Sequence, residues 1–242
     1  MKKLILVLIL TVMWGGKAEA ALVGYWNFNE GLGDVAHDSS GLGNDGTGLD
    51  SNWVAGKYGY GTTSDQITVP YDPALLPATG LTISAWVKID EMNGLQRRIV
   101  EMDYRYGLLF NPLDNNSQTP FLFAINSNNY GLEFQDVAIG EWVHAAVSWD
   151  GNMAQFYFNG SPAAPVGVSD SISQVGGVPL FMGRQGYTLD EVRIYNTALS
   201  REEILSDMNF DSAAPAIPEP AAMLLFGSGM AAFIWKKKFH RG

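Results

Sequence analysis

Chemistry in this sequence must come from carboxylates, amides and aromatic rings, because it has no cysteine and only three histidines. Without Cys there is no disulfide framework, thiolate nucleophile, iron–sulfur cluster or Cys-ligated zinc site. Glu30, Asp38, Asn44 and Asp45 lie close together around the glycine-rich stretch Ser40-Gly41-Leu42-Gly43. Oxygen donors of this kind on a flexible loop suit calcium, which takes six to eight of them at about 2.3–2.6 Å. The same residue types also form turns that accept backbone N–H groups. Glu101 and Asp103 are a second acidic pair. Two positions apart on an expected strand, they would share one face. Glycoside hydrolysis needs two carboxylates about 5–9.5 Å apart across the scissile bond.

A Ser-His-Asp arrangement finds no support. His37 sits in the acidic loop, His144 sits inside an expected strand, and no Gly-x-Ser-x-Gly turn is present. A third candidate is a binding patch of Tyr104, Tyr106, Asn128, Tyr130, Arg184 and Tyr187, with Asn126, Asn129 and Gln185 beside them. Aromatic rings stack on the apolar faces of sugars, and amide and guanidinium groups pair with hydroxyls and carboxylates. These residues fall in expected loops and strand ends, where a rigid scaffold carries function. Trp26, Trp86, Trp142 and Trp149 lie among apolar neighbours in strand patterns and read as core.

Strands must position these groups. From Leu81 to Ile89 every odd residue is apolar, and Thr82, Ser84, Trp86 and Lys88 alternate with them. This predicts a half-buried strand with one core face. Trp142–Trp149 and Met153–Phe158 predict a hairpin turning at Asp150-Gly151-Asn152. Further strands are expected at 22–28, 66–69, 98–102, 106–111, 121–126, 131–135, 178–183 and 189–196. Many short strands separated by Gly, Asn and Asp turns predict an all-β antiparallel sandwich. One helix is expected, from Ser200 to about Asn209. Ser200 and Glu203 form a capping box, and Leu199 and Ile204 a hydrophobic staple.

The two ends read as addresses. Lys2 and Lys3, the apolar run Leu4–Trp14 and Ala18-Glu19-Ala20 predict a secretory signal over residues 1–20. Residues 211–217 read as a Pro/Ala linker. Ala221–Trp235 is an uncharged stretch, followed by Lys236, Lys237, Lys238, His240 and Arg241. That order predicts a short membrane segment with a basic cytoplasmic flank. Residues 1–20 are net +2 and residues 221–242 net +4, so the stretch between them stands at −16, with 8 basic and 24 acidic residues. Such a body repels nucleic acid, whose binding needs a basic face.

Ile217-Pro218-Glu219-Pro220, an apolar stretch and a basic end resemble the PEP-CTERM sorting tail of Gram-negative bacteria. The resemblance implies that Pro218, Glu219 and Pro220 are recognised by an exosortase. It also implies transient inner-membrane anchoring over residues 218–242, and delivery to the cell surface or medium. The body resembles the LamG-like, concanavalin A-like jelly-roll family. The stretches that carry this are Gly24–Gly31, His37–Gly46, Leu81–Val87, Glu141–His144, Asp150-Gly151, Phe156–Gly160, Leu180–Gly183, Leu189–Tyr195 and Leu199–Ile204.

The family resemblance implies a jelly roll over about residues 21–210, with two curved sheets and paired first and last strands. That pairing would bring Asp190 and Glu191 toward Glu30, Asp38, Asn44 and Asp45 as a possible structural calcium site. Strand alternation allows only one of the two neighbours to reach a given face. It also implies carbohydrate or protein as ligand, and catalysis in few members. The β-glucanases of this fold carry Glu-x-Asp-x-x-Glu; here Glu101 and Asp103 match, but the last position is Tyr106. The expected function is a non-catalytic exported surface or matrix protein with a lectin-like domain, plausibly for exopolysaccharide. A protein-binding adhesion or structural module is the alternative, and a glycoside hydrolase comes third.

Overall fold

The computed structural model describes residues 21–50, 52–91, 97–110, 121–132 and 137–210. The expected signal (1–20), the linker (211–217) and the sorting tail (218–242) lie outside the described residues, as do residues 133–135 of one expected strand.

Seventeen strands form among the described residues. The first nine are β1 (Leu22–Trp26), β2 (Val35–Ala36), β3 (Gly46–Thr47), β4 (Trp53–Ala55), β5 (Tyr60–Thr62), β6 (Ile67–Val69), β7 (Leu81–Ile89), β8 (Arg97–Met102) and β9 (Tyr106–Phe110). There follow β10 (Phe121–Ile125), β11 (Asn128–Leu132), β12 (Trp142–Trp149), β13 (Met153–Phe158), β14 (Ser161–Pro162), β15 (Val166–Gly167), β16 (Leu180–Met182) and β17 (Tyr187–Tyr195). They form two antiparallel sheets, the expected sandwich. The first runs β14-β13-β12-β7-β17-β5-β4, with β1 also on β17 and β15 on β13. The second runs β11-β10-β9-β8-β16-β6-β3-β2. First and last strands pair, with Tyr25 opposite Arg193.

Side chains facing inward from both sheets make one core. Ile83, Val87, Val147, Trp149 and Ile194 from the first sheet belong to the same buried cluster as Val100, Tyr106, Leu108, Phe123 and Met182 from the second. Burial of this kind contributes about 25 cal/mol per Å² of apolar surface and is the main favourable term for the fold.

The outer face of the first sheet departs from expectation. Leu81, Ile83, Ala85, Val87 and Ile89 face the core, but Thr82, Ser84 and Trp86 are buried too. Helix α1 (Arg201–Met208) and the segment leading into it cover them. The Ser84 hydroxyl donates to the Asp207 carboxylate, and Trp86 Nε1 donates to the Met208 carbonyl at 3.3 Å. Thr82 donates to the Thr197 carbonyl at 2.8 Å and accepts from the Leu199 N–H at 2.9 Å. Alternation reports which residues are polar; it does not report what lies above them. The helix starts as predicted. Glu203 N–H donates to the Ser200 hydroxyl at 3.4 Å, and Ser200 N–H donates to the Glu203 carboxylate at 2.7 Å. Leu199 and Ile204 meet in a small cluster with Ala146 and Tyr157.

Candidate functional site

The outer face of the second sheet is arranged differently. Directly paired residues of antiparallel strands share a face. One such row crosses five strands: Asn129 opposite Ala124, Ala124 opposite Gly107, Gly107 opposite Glu101, and Glu101 opposite Phe181. Their sequence neighbours Tyr106, Leu108, Phe123, Ile125, Val100, Met102, Leu180 and Met182 are in the core, so this row points outward. Gly107 and Ala124 put little side-chain bulk beside Glu101 in this row. A Cβ at position 107 would meet the Val100 carbonyl oxygen at 2.9 Å and the Glu101 side chain at 3.2 Å. The backbone approach there therefore requires glycine.

The result is a trough of about 170 Å³ lined by Glu101, Tyr104, Arg105, Tyr106, Leu109, Ala124, Asn126, Ser127 and Asn129. Its end wall is made by two turns. Asn126 and Ser127 both have positive φ, 46° and 69°, and close a two-residue hairpin between Ile125 and Asn128. Tyr104, also at positive φ, lies in the turn between β8 and β9 and is 65% exposed. The loop at 171–175 fixes both turns. Asn126 donates to the Ser171 carbonyl at 2.6 Å and accepts from the Ser173 N–H at 3.1 Å, and Arg105 Nε donates to the Val175 carbonyl at 2.8 Å.

Glu101 is the half-buried acid of this face. Burial raises its carboxyl above the ordinary carboxylate range; Arg98, at 3.9 Å, and Arg184 pull it back, while Asp103 pushes it further up. The Arg98 guanidinium lies over the Phe181 ring at 4.9 Å and donates to Gln66 at 3.2 Å. Asp103 does not extend the strand as expected, because β8 ends at Met102. Tyr106 points inward, its hydroxyl donating to the Leu75 carbonyl at 2.6 Å.

The six expected binding residues separate by strand alternation. Tyr104 lines the trough; Arg184, in the loop after β16, is exposed and near enough to Glu101 to act on its carboxyl. Tyr106 and Tyr187 face the core. Asn128 and Tyr130, opposite Ile125 and Phe123, are out of phase with the trough. Both donate to the Asp170 carboxylate, at 2.8 and 2.6 Å. Gly107, Leu109, Ala124 and Ser127 were not anticipated. The available signal was a small residue at an alternate position in each of two otherwise bulky strands, Tyr-Gly-Leu-Leu-Phe and Phe-Leu-Phe-Ala-Ile.

The residues considered for calcium are engaged separately. Asp38 accepts four hydrogen bonds, from the Tyr25, Ser40 and Asn44 N–H groups and the Ser40 hydroxyl. Asp45 accepts from the Asp38 N–H at 2.8 Å, which holds its carboxyl below the usual value, and contacts His37. Glu30 accepts from the His37 N–H, and Asn44 donates to the Val23 carbonyl. Asp190 and Glu191 do not alternate as expected. The pairing of β17 with β7 shifts between Asp190 and Arg193, and Glu191 has φ 53°. This bulge turns both carboxylates to the outer side of the first sheet.

There Asp190, opposite Trp86, accepts from the Tyr58 N–H at 2.9 Å. Burial pushes its carboxyl up to about 8. Glu191 accepts from the Tyr25 hydroxyl at 2.7 Å and from Arg193. Among the described residues, no three His, Cys, Asp or Glu side chains gather as a metal site.

Two family profiles match the sequence. One, described as the concanavalin A-like lectin/glucanases superfamily, covers residues 61–205. The other, the PEP-CTERM protein-sorting motif, covers residues 216–238. No curated protein matches significantly. Among solved structures, domain 4 of AbnA, an extracellular GH43 arabinanase from Geobacillus stearothermophilus solved with arabinotriose, superposes with a TM-score of 0.64 at 20% identity, over 78% of this chain and 99% of that one. The binding domain of Paraclostridial Mosquitocidal Protein 1 gives 0.63 at 15% identity, over 78% and 52%. Trypanosoma rangeli sialidase gives 0.59 at 15% identity, over 81% of this chain and 34% of the sialidase. At these identities the likeness is one of fold. The chain spans about half of the mosquitocidal protein's binding domain and a third of the sialidase.

Proposed function

The chain belongs to the concanavalin A-like lectin/glucanases superfamily, and from that premise we propose that it is an exported, non-catalytic surface protein that binds carbohydrate in the trough of its second sheet. The observation that carries this reading is the trough itself. A floor of Leu109 and Ala124 accepts a flat ring, and Tyr104, Asn126, Asn129 and Glu101 stand at its edges with an aromatic face, amides and a carboxylate. Few convergent polar groups around a small apolar floor are the usual composition of a ligand site.

Binding is favoured over hydrolysis by two features. Asp103 lies past the end of the strand, and Tyr106, at the third position of the glucanase pattern, is turned into the core. The PEP-CTERM motif at 216–238 supplies export and surface sorting. In this reading an exosortase acts at Pro218-Glu219-Pro220, with the tail as a transient inner-membrane anchor. The test is a glycan array probed with the full chain and with Asn129→Trp, which fills the trough from an exposed position. Hits that the variant loses support the reading. Hits that the variant keeps move the site elsewhere, and an array without hits removes the carbohydrate ligand.

A further inference from the structure

The outer face of the second sheet gathers three arginines, Arg98, Arg105 and Arg184, around Glu101 and Asp103, an arginine-rich spot in an otherwise strongly acidic chain. Residues 21–220 hold 8 basic and 24 acidic residues. Most of the cations that can be followed already have a partner. Arg193 pairs with Glu191 and Asp207, Lys88 with Asp90 at 3.7 Å, and Arg98 with Glu101 at 3.9 Å. Lys57 lies over the Trp86 ring at 4.1 Å. Among the described residues Arg105, Arg184 and Arg201 have no such counter-charge, and the first two lie on or near the trough. Arg105 lines the trough and gives its hydrogen bonds to two backbone carbonyls, those of Val175 and Tyr104. Arg184 is exposed and makes no ion pair or hydrogen bond to a described residue, yet it lies near enough to act on both Glu101 and Arg98.

We infer that the ligand of the trough is an acidic glycan whose sugar rings carry carboxylates, with Arg105 and Arg184 as its anion contacts on either side of Glu101. The inference rests on the carbohydrate-binding reading above. A guanidinium presents a planar fork that matches a carboxylate in two parallel hydrogen bonds. Glu101 and Asp103 do not cancel this attraction, because Arg98 offsets one of the two carboxylates and leaves two arginines against one. The large negative charge of the remaining body repels polyanions in general. Only an anion whose carboxylates fall at the two arginines overcomes that repulsion, so the site selects for sugar geometry as well as charge.

The experiment is titration calorimetry of the full chain at about 50 mM salt, where screening is modest. The probes are trimers of galacturonate, glucuronate and mannuronate, each beside its methyl ester, with neutral trimers and dextran sulfate as further arms. One acid trimer should bind about tenfold more tightly than its ester, as expected for a charge-assisted contact. Arg184→Gln should bring acid and ester within about twofold while leaving the melting temperature unchanged, because the side chain is exposed and unpaired. Equal binding of acid and ester, or of neutral trimers alone, overturns the inference and leaves carbohydrate binding standing. Dextran sulfate binding as tightly as the best uronate overturns it as well, since charge alone would then suffice. No binding by any sugar removes the underlying reading too.

Discussion

The two outer faces of the sandwich start from the same alternation and end as opposites. On the first sheet the outward residues Thr82, Ser84, Trp86, His144, Asp190 and Arg193 are all buried, in large part under α1. On the second sheet the outward row Asn129, Ala124, Gly107, Glu101 and Phe181 borders a trough open to solvent. The covered face holds charge in a closed network. Arg193 contacts Glu191, Asp207 and the Tyr25 hydroxyl, and Asp207 accepts from Ser84 and Tyr195. Burial works against the Arg193 charge, and Asp207, Tyr25 and Glu191 together outweigh it. On the open face Arg184 is exposed and makes no ion pair with a described residue. Polar residues on the covered face therefore serve the fold, and polar residues on the open face remain available to a ligand.

The sharpest way to break this contrast is to remove one arginine from each face. Arg193→Ala leaves the Glu191 and Asp207 carboxylates buried without their cation. Stranding a buried charge costs about 3–5 kcal/mol, a fall in melting temperature of roughly 10 °C for a domain of this size. Arg184→Gln should move stability by no more than about 0.5 kcal/mol. Thermal melts of the two variants read the comparison directly. Equal losses would show that the second face is also structural.

Acid should find the covered face first. His144 is fully buried beside Trp86, and neither ring nitrogen has a hydrogen-bond partner among the described residues. Burial lowers its pKa to about 4; Asp207 opposes the shift and Arg193 adds to it. The unfolded chain, with an ordinary histidine near 6.5, takes up the proton first. The His144 contribution to stability is therefore complete above about pH 6.5, falls as the pH drops toward 4 and stops falling below that, while Asp190, held up at about 8, contributes in the opposite direction over that range. The full loss is about 3 kcal/mol. His144→Leu should cancel this part of the acid sensitivity and should not destabilise at pH 7, because it removes two unsatisfied polar atoms. A pH series of melts for both proteins tests this; parallel curves would mean that His144 is not the group responsible.

Much of this difference was hidden in the sequence for physical reasons. The sandwich, the hairpin at Asp150-Gly151 and the capped helix were legible, because alternation, turn residues and the Ser200–Glu203 box act locally. The cover over Thr82 and Ser84 was not legible, since it depends on where a helix more than a hundred residues away comes to rest. The trough was partly legible. Tyr104, Asn126 and Asn129 were singled out as ligand-type residues and do line it. Tyr106, Asn128 and Tyr130 looked equivalent to them, but side-chain direction depends on strand phase, and phase depends on where each turn falls. At Glu191 a bulge inverted the expected alternation, and the neighbouring residues Asp190-Glu191 give no local sign of it.

Tyr104 sharpens the comparison from the open side. Its ring is 65% exposed and its backbone already sits in the left-handed region. Tyr104→Ala should weaken glycan binding by roughly tenfold, in line with the loss of one aromatic stacking partner, and should leave the melting temperature within about 2 °C. Tyr58 is the matched control on the covered side, where its ring meets Trp86 edge-on at 6.4 Å. Tyr58→Ala should lower stability and spare binding. A reversal of the two readouts would reverse the assignment of the faces.

The smallest effect expected is that of chelation. An ion held at one hundred times its dissociation constant stabilises the folded state by about 2.7 kcal/mol, which in a domain of this size raises the melting temperature by roughly 5–10 °C. The Asp38 and Asp45 carboxylates already accept the N–H groups and hydroxyl that shape their own loop. Glu191 is held by Tyr25 and Arg193, and Asp190 lies in a buried site that disfavours its charged form. Binding calcium with this set would require several of those hydrogen bonds to break, which offsets the gain. Melting in excess calcium and in excess EDTA should therefore differ by less than about 2 °C. A shift of the full size would mean that the loop rearranges around an ion, and the quiet loop would then join the trough as a second functional region.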